Sequence, residues 1–306
     1  MIKRIQGNDQ IGYHQNRFNR LLLPDVNAAG PISASLLGEL SDPMKFLLNK
    51  SKAESSDMAW GSMVDMMWLT PEDWRKHFID LPDKAPKKPT IAQINAKKPS
   101  EKAIESIDWW NSFNRKALGK TVIDKATYLK VEEAVEMLNL HPISRRIFEN
   151  SEKQIILAGE SGDLHPDQRT YKAKAMMDLL PYDGTIEVEG QEIPLAECVV
   201  DLKQCHDVSE FGMKKAIRNF QYHIKTEWYL NMLRASGESQ RKYSILIFQN
   251  SAEPRDVHVR KISEEDLDWA RLEIVRRITL LSQLNHKDQT NLFDTEVQTI
   301  STSFKS

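Results

Sequence analysis

The sequence predicts an α/β or α+β protein in which a helical region comes first and a strand-rich region follows. Residues 31–150 contain long segments with helical apolar spacing, and residues 151–290 contain short β-branched runs bounded by turn residues. The chain has 306 residues, which is enough for one large domain. We therefore expect a single mixed domain over 31–290 with an N-terminal helical subdomain, preceded by a loosely structured arm over 1–30 and followed by a flexible tail over 291–306.

Composition excludes several classes of protein. No apolar run approaches the roughly 20 residues of a membrane span, and the N-terminal segment lacks an apolar signal region, so we expect a cytoplasmic protein without a membrane partner. Cys198 and Cys205 are the only cysteines, too few for an iron–sulfur cluster or a Cys-only zinc site. Since the net charge is −2, any DNA-binding surface must be a local basic patch.

The helical region contains one segment with a buried charge. The segment 57–69, DMAWGSMVDMMWL, is so rich in Met and Trp that it predicts a buried helix, and Asp65 in its middle needs an ionic partner or a metal ion.

Residues 81–100 are rich in Pro and Lys and predict an exposed excursion. Two further helices are predicted to begin near Ser100 and Asp124.

The strand-rich region predicts four strands, then a helix, two strands and a helix. The four strands are 153–160, 170–180, 184–189 and 196–203; the later elements are a helix over 209–237, strands within 241–250 and 256–262, and a helix that begins at Ser263. Ser263 with Asp266 matches a helix-capping pattern, and Gly237 is a suitable helix end.

The strand 196–203, AECVVDLK, carries the strongest functional signal. Because side chains alternate along a strand, Asp201 and Lys203 share one face. Two further acids end earlier strands, Glu160 after KQIILAG and Asp178 after YKAKAMM. Each acid alone is more often a solvent-exposed charge, but perturbed charges cluster at functional sites, so the ordered set indicates function.

The residue types in this set suit metal-dependent phosphodiester chemistry. Mg²⁺ prefers carboxylate and carbonyl oxygens, which Glu160, Asp178, Asp201 and the backbone carbonyl of Leu202 can offer. Metal ions held in this way stabilise the attacking and leaving oxygens in phosphodiester cleavage. Lys203 would orient the attacking water and offset the developing negative charge.

The helix over 209–237 offers a candidate surface for the DNA backbone. Four residues at helical spacing form one polar and aromatic face: Arg218, Tyr222, Lys225 and Tyr229. Lys214 lies nearer the start of the same helix. Packed beside the metal-binding strand, this face would meet DNA phosphates; the alternative is an ordinary amphipathic helix.

Taken in order, these segments resemble the PD-(D/E)xK nuclease superfamily, and within it the branch of phage-type exodeoxyribonuclease VIII and lambda-exonuclease-like enzymes. The matching segments are ISASLLGELSDPMKFLL, WGSMVDMMWL, ILAGES, KAKAMMD, VVDLK and FQYHIKTEWYL. The resemblance covers about residues 30–285. It implies a restriction-endonuclease-like core, in which a central mixed sheet is flanked by helices.

The resemblance also implies a function. It suggests a Mg²⁺-dependent exonuclease, with Mn²⁺ as a substitute, that digests double-stranded DNA from an end and leaves a single strand for an annealing recombinase in phage-type recombination. It implies that Asp178 and Asp201 bind metal, that Lys203 is catalytic and that Glu160 is an additional upstream acid. A homo-oligomer in the cytoplasm of a bacterium or phage-infected host is implied by the family as well.

Some positions depart from the family pattern. Asp65 stands where the family usually has a metal-binding histidine, Lys225 stands where a Tyr-x-x-Gln motif has glutamine, and Met177 precedes Asp178 in place of proline. These departures keep other interpretations open: an endonuclease of restriction or repair type on the same core, a catalytically silent DNA-end-binding protein, or an interaction module with no nucleic-acid role.

Overall fold

The computed structural model describes residues 1–5, 13, 29–47, 56–162 and 169–284. The predicted tail and most of the predicted arm lie outside these ranges. In the part of the chain that is described, no helix combines the length and the apolar character needed to cross a membrane.

A six-stranded mixed sheet forms the centre of the fold, and two small sheets accompany it. In chain order, the described strands are β1 (Ile2–Arg4), β2 (Phe78–Asp80), β3 (Thr121–Ile123), β4 (Ser151–Ser161), β5 (Tyr171–Pro181), β6 (Thr185–Val188), β7 (Gln191–Pro194), β8 (Cys198–Cys205), β9 (Tyr243–Asn250) and β10 (Val257–Lys261). The large sheet has the order β1-β4-β5-β8-β9-β10, and the pairs β2-β3 and β6-β7 stand apart. Strands β8 and β9 are parallel, and the other neighbours in the large sheet are antiparallel.

Helices flank this sheet, which confirms the predicted class with a central mixed sheet. In chain order, the described α-helices are α1 (Ala34–Glu39), α2 (Pro43–Leu47), α3 (Ser56–Leu69), α4 (Trp74–His77), α5 (Ile91–Ile94), α6 (Glu101–Lys116), α7 (Lys125–Leu140), α8 (Pro142–Glu149), α9 (Glu210–Phe220), α10 (Tyr222–Ala235) and α11 (Glu264–Gln283). Ser100, Asp124 and Ser263 cap α6, α7 and α11 by accepting a hydrogen bond from the third backbone amide of each helix, as predicted.

Apolar side chains cover both faces of the sheet around β8. Val199 packs in one buried cluster with Trp228 of α10, and Val200 packs in a second cluster on the opposite face. Because side chains alternate along the strand, Asp201 and Lys203 share the face of Val199, towards α10. The strand therefore carries a charged pair into an apolar layer.

The predicted helix over 209–237 is wrong in one respect, because the chain forms two helices there. Gln221 adopts a left-handed backbone conformation, with φ 54° and ψ 44°, and it separates α9 from α10. The Arg277 guanidinium of α11 donates a hydrogen bond to the Gln221 side chain, which holds this junction against the last helix. Arg218 therefore leaves the predicted face, while Tyr222 and Lys225 stay together on α10.

The predicted loose arm contributes an edge strand to the sheet. Strand β1 pairs with β4, and Ile2 lies opposite Gly159 with only 2% of its surface exposed. Gly159 permits this close approach, since a Cβ atom there would lie 2.3 Å from the carbonyl oxygen of Met1. The Arg4 guanidinium adds an ion pair of 2.7 Å to Glu152 on β4.

Candidate active site

A cluster of charged side chains lies where β5, β8 and α10 meet. Asp201 is fully buried, forms an ion pair with Lys203 and has the Lys225 ammonium 3.5 Å from its Oδ2 atom. The Lys203 Nζ atom also donates to the Leu202 carbonyl at 2.8 Å. The backbone amide of Leu202 donates to Asp178 Oδ2 at 2.9 Å. The D-x-K strand thus brings two carboxyl groups and two ammonium groups to one place.

Asp65 on α3 is a third acid near this cluster. Burial raises the pKa of Asp65 to about 7, the positive charge of Lys203 lowers it and the negative charge of Asp201 raises it. Helix α3 packs against β8. The Asp65 carboxyl group, in the middle of an apolar helix, therefore lies near other charged groups. The sequence predicted that a buried carboxyl group there would need such a partner.

Crowding shifts the pKa values of the clustered groups in opposite directions. Burial raises the pKa of Asp178 well above its usual range, and the charges of Asp201 and Asp65 raise it further. Burial alone would also raise the pKa of Asp201, but Lys203 and Lys225 hold it well below its usual range. Burial lowers the pKa of Lys225, yet Asp201 and Asp178 outweigh it and the net shift is upward.

The oxygen atoms of the cluster fit a hard cation. No three His, Cys, Asp or Glu side chains of the described ranges are already arranged to hold a metal. However, Asp201 Oδ1 is buried, and no N–H or hydroxyl group of the described residues donates a hydrogen bond to it. One ammonium group, that of Lys203, contacts both Asp201 and the Leu202 carbonyl, so a single cation can reach both. Asp178, Asp201 and the Leu202 carbonyl are therefore the donors that would hold Mg²⁺, with Asp65 beside them.

The expectation that Glu160 joins these acids is wrong. Glu160 lies opposite Lys172 in the β4–β5 pairing, and Asp178 is six residues further along β5, which corresponds to about 20 Å. The Glu160 side chain is exposed, and its carbonyl accepts a hydrogen bond from the amino group of Met1. The physical reason is strand direction: β4 and β5 run antiparallel, so the end of β4 that carries Glu160 lies beside the start of β5, whereas Asp178 lies near the end of β5.

Of the four predicted DNA-binding residues, two lie at the cluster and two do not. The Tyr222 ring centroid is 5.1 Å from Lys203 Nζ, and Lys225 contacts Asp201. Arg218 and Lys214 are exposed on α9, where Lys214 pairs with Glu210 at 2.6 Å. The break at the junction of α9 and α10 separates the two pairs.

One aromatic residue near the cluster was not found by sequence analysis. Burial raises the pKa of Tyr13 to about 12, and the positive charge of Lys225 lowers it, which places this tyrosine beside the cluster. The Lys174 ammonium lies 4.2 Å from the Tyr13 ring centroid and donates to its backbone carbonyl. Its surroundings in the sequence have no helical or strand periodicity, so no pattern marked it as functional.

Comparisons with known proteins bear on the fold. No protein-family model matches the chain, and no curated protein matches its sequence. Among solved structures, a Eubacterium rectale protein named "Putative exonuclease" superposes with a TM-score of 0.50 at 14% identity, covering 94% of this chain and 95% of its own. A phage-related exonuclease from Haemophilus somnus 129PT gives a TM-score of 0.30 at 12% identity, covering 64% of this chain and 87% of its own. The first similarity shows that the two proteins share a fold.

Proposed function

We propose that this protein is a metal-dependent deoxyribonuclease that digests linear double-stranded DNA from an end. The observation that carries the proposal is the buried meeting of Asp178, Asp201 and Lys203. A cluster that combines excess carboxyl groups with ammonium groups is typical of sites where charge develops during a reaction.

Each residue of the cluster has a role in this proposal. A divalent cation bound there supplies Lewis-acid stabilisation of the attacking and leaving oxygens. Asp178, Asp201 and the Leu202 carbonyl hold it. Lys203 is positioned by Asp201 and by that carbonyl, so its ammonium can orient a water molecule and offset negative charge on the phosphate. Lys225, whose side chain is 34% exposed, presents positive charge to the neighbouring phosphate.

The finer parts of the proposal rest on the resemblance of the ordered segments. These are attack at DNA ends, Mg²⁺ with Mn²⁺ as a substitute, a single-strand annealing recombinase as the partner that takes the product, and a homo-oligomer in the cytoplasm. The fold shared with a protein named as an exonuclease supports the same class of reaction.

Digestion of matched DNA substrates tests the proposal. Linear and covalently closed circular duplexes of one sequence are incubated with Mg²⁺, Mn²⁺ or EDTA, and Asp201→Asn serves as the inactive control. We expect loss of linear DNA with either metal, intact circles, and no digestion in EDTA or by the variant. Cutting of closed circles would support the endonuclease alternative.

A catalytically silent DNA-end-binding protein is the second candidate. It is favoured by one contact, because the Lys225 ammonium lies against Asp201 and so competes with a metal ion for that carboxylate. Intact DNA with every metal tried, together with retained binding of DNA ends, would support this candidate over the nuclease.

A further inference from the structure

A groove of about 450 Å³ opens beside the charged cluster, between α1 and the junction of α9 with α10. Its walls include Ser35, Glu39 and Asp42 on one side and Phe220, Tyr222 and Lys225 on the other. None of the roles assigned so far uses the α1 side of this groove or Phe220.

The groove leads directly into the charged cluster. Lys225 lines the groove, and its ammonium is 3.5 Å from Asp201 Oδ2. Tyr222 also lines the groove, and its ring centroid is 5.1 Å from the Lys203 ammonium. A group that occupies the groove is therefore a neighbour of any phosphodiester held at the cluster.

An aromatic pair with an open outer ring forms one wall of the groove. The rings of Phe220 and Tyr222 are stacked, with centroids 5.6 Å apart and planes inclined by 23°. Phe220 is nevertheless 67% exposed. A large apolar ring that is held by stacking and left open to solvent is a platform for another flat ring, and nucleobases stack on such rings whatever their sequence.

The opposite wall of the groove is polar. It carries the side chains of Ser35, Glu39 and Asp42, and the Ser35 hydroxyl group can donate or accept a hydrogen bond at the edge of a base. A nucleobase suits both walls, because it has a flat apolar face and polar edges.

We propose that this groove receives the base of the terminal nucleotide, which stacks on Phe220 while the adjacent phosphodiester lies at the charged cluster. The inference rests on the proposed nuclease function and adds to it a residue that binds the substrate base. Since stacking tolerates every base, the groove confers a requirement for a base and no preference among sequences.

Binding of DNA ends in EDTA, where no cleavage is expected, tests the inference separately from catalysis. The affinity of the full chain is measured for a duplex with an intact terminal base and for the same duplex with an abasic terminal nucleotide. We compare Phe220→Ala and Phe220→Trp with Phe211→Ala, a matched control on the same helix whose ring is 74% exposed and lies outside the groove.

We expect Phe220→Ala to weaken binding of the intact end by about 5- to 100-fold, while Phe220→Trp and Phe211→Ala bind as the wild type does. The abasic end should weaken wild-type binding by a similar factor, and Phe220→Ala should bind both ends equally. Unchanged affinity in Phe220→Ala, or equal losses on intact and abasic ends, would overturn the groove assignment. If the wild type still digests linear DNA with Mg²⁺, the nuclease proposal survives that result; a wild type that neither binds nor digests DNA ends refutes both.

Discussion

Helix α10 carries a buried charged cluster on each of two faces, and the two clusters are built differently. On one face, Lys225 reaches the fully buried Asp201 of β8. On another, the fully buried Glu227 receives two guanidinium groups, Arg234 at 2.5 Å and Arg271 at 3.0 Å. The same helix therefore offers a direct comparison between two ways of burying charge.

The two clusters differ in their balance of acidic and basic groups. Glu227 is one carboxylate between two cations; burial raises its pKa and the two arginines lower it. The other cluster combines three carboxyl groups, those of Asp65, Asp178 and Asp201, with two ammonium groups, and the pKa values of Asp65 and Asp178 are raised. An added divalent cation would relieve the excess of acids, whereas the Glu227 cluster has no excess to relieve. The comparison therefore distinguishes a structural ion-pair network from a candidate reactive site.

Removal of Lys203 should have the largest effect, and it should fall on activity. Lys203→Ala is expected to lower the rate of DNA digestion by about 10²- to 10⁴-fold, because it removes the positive charge closest to Asp201. Melting should change little, since Lys225 still contacts Asp201. Lys242→Ala is a matched control, because this exposed lysine pairs with Glu197 at 2.8 Å away from the cluster. A variant that melts normally and digests DNA at the wild-type rate would remove Lys203 from the site.

Removal of Glu227 should instead lower stability. Glu227→Ala leaves two guanidinium groups without their carboxylate, and we expect a loss of about 2 to 4 kcal/mol in the free energy of unfolding, because both arginines are partly exposed. Urea denaturation measures this loss. Glu210→Ala, which breaks the exposed pair with Lys214, should lower the free energy of unfolding far less, because solvent screens this pair. Similar costs for the two variants would contradict a structural role for the Glu227 cluster.

A divalent cation should stabilise one cluster and leave the other unaffected. At a Mg²⁺ concentration about 100 times its dissociation constant, the free energy of unfolding should rise by about 2.7 kcal/mol. Thermal melting with Mg²⁺ and with EDTA measures this shift for the wild type, Asp201→Asn and Glu227→Ala. The shift should vanish in Asp201→Asn and persist in Glu227→Ala. A shift of equal size in all three proteins would place the cation elsewhere.

The sequence was sufficient to predict those features that depend on the regular spacing of side chains within one helix or one strand. Alternation along a strand predicted that Asp201 and Lys203 share a face, and the structure places them in one ion pair. Helical spacing predicted that Tyr222 and Lys225 belong together, and both lie at the cluster. The buried helix around Asp65 was predicted from its lack of a polar face. Each of these relations lies within a single element.

Relations between elements were harder to predict. Glu160 was misplaced because the sequence pattern of a strand does not encode whether the strand runs parallel or antiparallel to its neighbour. That direction decides which strand ends lie together. Arg218 was misplaced because the break at Gln221 depends on a contact from Arg277 on a distant helix, and neither glycine nor proline marks it. The network around Glu227 was missed for a similar reason, since Arg271 lies on a different helix.

Removal of one arginine from the Glu227 cluster should have the smallest effect. Arg271 is half exposed and also pairs with Asp268 at 2.9 Å, so Arg271→Ala should cost about 1 kcal/mol while Arg234 still contacts Glu227. The double variant Arg234→Ala/Arg271→Ala should cost more than the sum of the single changes, because only then does a buried carboxylate lose both guanidinium partners. Urea denaturation of the three variants measures this coupling. Additive costs would mean that each arginine acts independently of Glu227. The two arginines would then not be what stabilises the buried Glu227 carboxylate, and the contrast between the two faces of α10 would fail.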